Sequence, residues 1–163
     1  MMDFTIEDVK QIMEDARYLQ DEIEALKYVI HDVPYDEKPS EGEYSILEMV
    51  GMIDHAQVAF YRPAMEEIIK QSSPEISVST DYESSFKLRK DENDTVDTIL
   101  NRIIKHRAAF LNFMSKIKPL EWERSGYVNG MKRSVYSLLN ELINFERDQL
   151  KRVAERVMTL NRN

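Results

Sequence analysis

Apolar residues recur at Ile6, Val9, Met13, Ala16, Leu19, Ile23, Leu26 and Ile30, in steps of three and four. That period is one face of a helix, and it predicts a helix over about 5–31. Thr5 and Asp8 resemble a capping box with Asp standing in for Glu. Pro34 and Pro39 close the segment, because proline cannot continue the hydrogen-bond ladder. A second stripe, Leu47, Gly51, Asp54, Val58, Tyr61, Met65 and Ile68, follows the capping box Ser45-Ile46-Leu47-Glu48 and predicts a helix to about residue 70. Pro63 falls inside it and removes the bond to the carbonyl of Ala59, which predicts a kink rather than a stop.

The third stripe is Val96, Leu100, Ile103, Phe110, Met114 and Ile117, over about 95–118, with Asp94 as the expected cap and Pro119 as the end. Asn129-Gly130 marks a turn. A fourth helix is expected from Met131 or Ser134 to Leu160, with Val135, Leu138, Leu142, Phe145, Gln149, Val153 and Val157 on one face. Four such segments cannot each bury an apolar stripe alone, and the simplest arrangement is a single all-α domain over 1–163, a four-helix bundle. Residues 71–94 have no dominant period. A helix of about 25 residues is about 38 Å long, and about 23 extended residues reach about 75 Å. This connection can therefore return the chain along the whole bundle, leaving helices two and three parallel in an up-down-down-up path.

Composition narrows the chemistry. Lys plus Arg number 22 against 30 Asp plus Glu, a formal net charge of −8, which argues against nucleic acid as a partner. The short basic run Lys87-Leu88-Arg89-Lys90 is followed at once by Asp91 and Glu92, the pattern of a solvated loop. There are no cysteines, so thiolate nucleophiles and Cys-based metal sites are excluded. No segment has the length of a membrane span, and the acidic N-terminus lacks the features of a secretory signal. A cytoplasmic location is the expectation. Glu-x-x-His, His-Glu-x-x-His, the P-loop, Gly-x-Gly-x-x-Gly and Gly-x-Ser-x-Gly are all absent.

Interior chemistry requires polar residues on the apolar stripes. Asp54 and His55 lie on the inward side of helix two, where a neutral imidazole serves as a ligand or a base. A stripe-edge histidine hydrogen-bonded to a neighbour is the simpler reading of His55 alone. On helix four, Phe145 and Gln149 are four residues apart, with Glu146 beside them. Packing is expected of Phe145 and an internal hydrogen bond of Gln149. His106 follows Ile103 by three residues and either approaches His55 or lies at the surface. His31 ends helix one, where a cation suits the helix dipole.

Ser45-Ile46-Leu47-Glu48-Met49-Val50 through Asp54-His55, and Trp122 through Gly130 into the helix containing Phe145-Glu146-Arg147-Asp148-Gln149, resemble the DinB-like (DinB/YfiT) bundles. The resemblance implies the up-down-down-up bundle and frequent homodimers. It also implies a divalent metal, zinc or nickel, held by one histidine of helix two and two of helix four in a His-Glu-x-x-His-like arrangement. Some members are thiol-dependent transferases, and others are isomerases acting on thiol adducts. On this pattern His55 occupies the first ligand position and Glu146 that of the glutamate, while Phe145 and Gln149 stand where the other two histidines would be. One imidazole, one amide and one benzene ring do not make a catalytic zinc site. The sequence therefore suggests a bundle without the metal-dependent chemistry of its relatives and without a cofactor. It would be non-catalytic or bind a small-molecule ligand, with Asp54, His55, Phe145, Glu146 and Gln149 as the candidate pocket. The alternative is a thiol-dependent S-transferase or related enzyme in which Asp54 or His106 supplements His55 as a metal ligand. A bundle face binding a partner, with 71–94 as the contact, is compatible with either.

Overall fold

The computed structural model describes residues 4–77 and 95–161. Helix α1 spans Ile6–Lys27. The second helix of the bundle is built from α2 (Ile46–His55), a π-helical turn (Ala56–Tyr61) and α3 (Arg62–Lys70). The third is α4 (Val96–Ser115) and the fourth α5 (Val135–Asn161). The expected N-terminal caps of the first two form as reciprocal pairs. Thr5 Oγ1 accepts from Asp8 N at 3.1 Å and Asp8 Oδ2 from Thr5 N at 2.8 Å. Ser45 Oγ accepts from Glu48 N at 3.0 Å and Glu48 Oε1 from Ser45 N at 3.1 Å. Each satisfies donors that the first helical turn leaves open. On α4 the cap is Thr95, whose Oγ1 accepts from Thr98 N at 3.1 Å. The expected cap Asp94 and the basic run 87–90 lie outside the described residues.

Cross-helix contacts fix the directions. Phe4 stacks on Tyr136 with ring centroids 4.2 Å apart, and Asp15 pairs with Arg147 at 3.1 Å, so α1 and α5 run parallel. His31 meets Asp97 at 3.0 Å while Ala16 O accepts from Arg107, also at 3.0 Å, so α1 and α4 are antiparallel. Arg156 reaches Tyr44 O at 2.9 Å and Gln149 reaches Met49 O at 3.2 Å, so α2 and α5 are antiparallel. The path is up-down-down-up, with the second and third helices parallel.

A small sheet that the helical periodicities do not predict closes one end. The strands β1 (Glu75–Ile76), β2 (Ser125–Val128) and β3 (Met131–Ser134) lie in that order, β1 parallel and β3 antiparallel to β2. The β2–β3 turn is the expected Asn129-Gly130 pair, with φ of 51° and 81°, the left-handed backbone that a two-residue hairpin needs. Arg124 donates to the carbonyls of Ile69 at 2.6 Å and Gln71 at 2.7 Å, tying the sheet to the C-terminus of α3.

The core divides into two apolar clusters. One gathers Ala16, Phe60, Phe110, Leu142 and Ile143 at the sheet end. The other gathers Leu19, Ile53, Ile103 and Val153 at the far end. The half-buried Phe145 packs against both. Along α4 and α5 the boundary between clusters falls at a buried polar residue, Arg107 and Glu146, and Gln57 lies beside it on the second helix.

Candidate functional site

The second helix continues through Pro63, and its ladder changes just ahead of the proline. Arg62 N donates to Gln57 O, five residues back, which is the π pattern. The π-helical turn begins immediately after His55. Extra backbone at this point re-aims the side chains that follow. Gln57, at the start of this turn, is fully buried, and His55 just before it is 7 % exposed.

Arg107 of α4 is the centre of the buried polar layer, with no exposed surface. Its Nε donates to Gln57 Oε1 at 2.5 Å, its Nη1 to Ala16 O at 3.0 Å, and its Nη2 to Glu146 Oε1. One guanidinium thus joins all four helices of the bundle. Glu146 is 3 % exposed. Burial raises its carboxyl pKa above the ordinary carboxylate value, and the guanidinium of Arg107 opposes that rise. A buried arginine keeps its charge, so a hydrogen-bonded carboxylate is the partner that makes its burial tolerable.

The layer extends to the surface between α2 and α4. Gln57 Nε2 donates to Asp54 Oδ1 at 3.4 Å, and His106 Nδ1 lies 2.9 and 3.0 Å from the two oxygens of Asp54. His106 is partly exposed and pairs with Asp54. On the opposite side, Glu146 lines a small cleft between α1 and α5 with Asp15, Tyr18, Glu22 and Arg147. The polar chain therefore crosses the bundle from one helix pair to the other.

Of the expected site residues, Glu146 is engaged by Arg107 and Asp54 by His106 and Gln57. Gln149 is buried and makes the internal hydrogen bonds expected of it. Its Nε2 donates to Met49 O at 3.2 Å and approaches Met52 Sδ at 3.8 Å, and Arg152 donates to its Oε1 at 3.4 Å. His31 lies near the end of helix one, in a 3-10 turn, and pairs with Asp97. Arg107 and Gln57 were not anticipated. Arg107 had a signal: the third apolar stripe skips from Ile103 to Phe110, and Arg107 stands at the helical position between them. Gln57 had a weaker one, standing at helical spacing from Val50 and Ile53, an apolar row beside the stripe read from the sequence.

No family model and no curated protein matches the chain. Among solved structures it is similar to YfiT from Bacillus subtilis, described as a probable metal-dependent hydrolase with an unusual four-helix bundle topology. The TM-score is 0.80 at 9 % identity, over 95 % of this chain and 89 % of that one. The fold is DinB-like. In this DinB-like bundle the residues at the resemblance's ligand positions are His55, which is buried, Phe145, which offers no donor atom, and Gln149, whose amide is held by the backbone of α2. No group of three or more His, Cys, Asp or Glu side chains is placed to hold a metal ion among the described residues. The helices of the DinB-like bundle are also too short or too polar to cross a membrane, again among the described residues.

Proposed function

We propose that this DinB-like bundle lacks the metal-dependent chemistry of the type its structural neighbour's description names, and acts as a non-catalytic or ligand-binding protein. The observation that carries this reading is the Arg107–Glu146 pair. The carboxylate at the family's glutamate position is already neutralised by a permanent cation. A divalent metal beside it would meet a guanidinium charge and a donor set of one imidazole, one engaged amide and one benzene ring. First-row metals need several nitrogen, oxygen or sulfur donors, and this set does not fit one. Association into a homodimer in the cytoplasm is part of the same reading.

The test is the metal content of protein purified without a histidine tag, together with its melting temperature with and without chelator. The expected result is far less than one zinc or nickel per chain and a chelator-independent melting temperature. A metal bound to the folded state would raise that temperature by mass action. Stoichiometric zinc or nickel that disappears in His55→Ala would overturn the proposal. One observation favours the second reading, a transferase-type enzyme with a substitute ligand: Asp54, next to His55 in the chain, is joined to His106. If that reading holds, His106→Ala should also release the metal.

A further inference from the structure

We propose that the groove between α1 and α5 binds a small amphiphilic cation, an alkyl chain ending in an ammonium group, with the chain along the groove and the ammonium at Glu22 and Tyr18. This gives the ligand-binding side of the reading above a ligand class, at a place apart from the metal positions of the resemblance. The groove has a volume of about 460 Å³, with Leu26, Val29, Val153, Val157 and Met158 among its lining residues. Ligand sites are commonly of this size and mostly apolar, with a few polar groups that fix orientation. Val29 is 41 % and Met158 57 % exposed, so an alkyl chain laid along the groove takes apolar surface out of water.

Charge selects the occupant. Among the described residues that line the groove, Glu22 alone carries a charge. Glu22 also lines the small cleft over Glu146, with Tyr18, Asp15 and Arg147. The other charges of that cleft are already matched, Asp15 by Arg147 at 3.1 Å and Glu146 by Arg107. Among the described residues no cation stands within ion-pairing distance of Glu22, the contact of Arg147 being with Asp15. Burial raises the Glu22 carboxyl pKa above its ordinary value, Arg147 opposing that rise and Asp21 adding to it. The carboxylate is thus partly withdrawn from water without a contact partner to offset the loss. Tyr18 precedes it by four residues, on the same face of α1, and its exposed ring lines the cleft. An aromatic face beside a carboxylate suits an ammonium group. A neutral amphiphile leaves Glu22 without a partner, and an anionic one meets like charge.

The experiment is titration calorimetry of the full chain with octylammonium, octanol and octanoate, each below the concentration at which it aggregates, with circular dichroism to confirm that variants fold. Octylammonium should bind at one site per chain. Octanol should bind about fivefold more weakly, the worth of one exposed ion pair, and octanoate more weakly still. Hexylammonium, with two fewer methylenes to bury, should lose about tenfold. Glu22→Gln should bring octylammonium down to the affinity of octanol. Ala154→Phe, which fills the groove from an exposed position, should abolish binding of both. Absence of octylammonium binding, an equal affinity for octanol or octanoate, or binding unchanged by Glu22→Gln or by Ala154→Phe would overturn the proposal. Each of these leaves the metal-free reading standing, which the metal content tests by itself.

Discussion

Arg107 Nη2 donates to Glu146 Oε1 at the level where the two apolar clusters meet, so the third and fourth helices are joined through a buried ion pair. The pair costs desolvation on both sides, and its value depends on both partners being present. With Gln57 and Ala16 O completing the guanidinium's bonds, it fixes which residues of four helices lie at one level.

Removing one partner should therefore be worse than removing both. Glu146→Ala or Arg107→Ala should each cost about 3–5 kcal/mol, because a buried charge is left uncompensated. Arg107→Met combined with Glu146→Leu should cost less than either single change. Urea unfolding midpoints of the variants decide this, and additive losses would contradict it.

The pH dependence of Glu146 has a definite sign. Burial, opposed by Arg107, raises its folded-state pKa above the ordinary 4.5. The folded state therefore binds this proton more tightly than the unfolded chain. The resulting stabilisation is fully present below the unfolded value and is lost as pH rises through the folded value. The stability difference between wild type and Glu146→Gln should shift against the wild type as pH rises through that window. Denaturant titrations at a series of pH values measure it, and a pH-independent difference would refute it.

Two added imidazoles should create a zinc site if the helix-four register of the resemblance is correct. Phe145→His with Gln149→His should bind zinc through three histidines, and His55→Ala in that background should abolish binding. Competition against a chromophoric chelator reads the affinity. Equal zinc uptake with and without His55 would show that the three positions do not converge.

Gly126 should tolerate no side chain. A Cβ there would meet Pro74 O at 2.9 Å and Ile68 Cγ1 at 3.0 Å, where the chain enters β1 alongside β2. Gly126→Ala should cost about 1–3 kcal/mol by overpacking. Gly130→Ala meets open space at φ +81° and should cost about 1–2 kcal/mol from the left-handed backbone. Thermal or urea unfolding of the two variants separates crowding from backbone strain: shortening Ile68 should relieve part of the first, the contact with Pro74 O remaining, and none of the second.

The sequence determined the helices, because apolar period, capping boxes and proline punctuation are local features that act within one or two turns. Thr5 with Asp8 and Ser45 with Glu48 form the reciprocal caps that their spacing implies. It also pointed to the bundle, since four apolar stripes are most simply buried together, and to its path, through the length of the 71–94 connection and the family resemblance. The small sheet was legible only at its Asn129-Gly130 turn, because its strands are too short to show a period. Tertiary structure alone decided which polar side chains meet. Arg107 and Glu146 are 39 positions apart, and Gln57 and Arg107 are 50 apart. Their contact depends on helix direction, vertical register and a one-residue change in the ladder of the second helix, none of which a single helix's periodicity encodes.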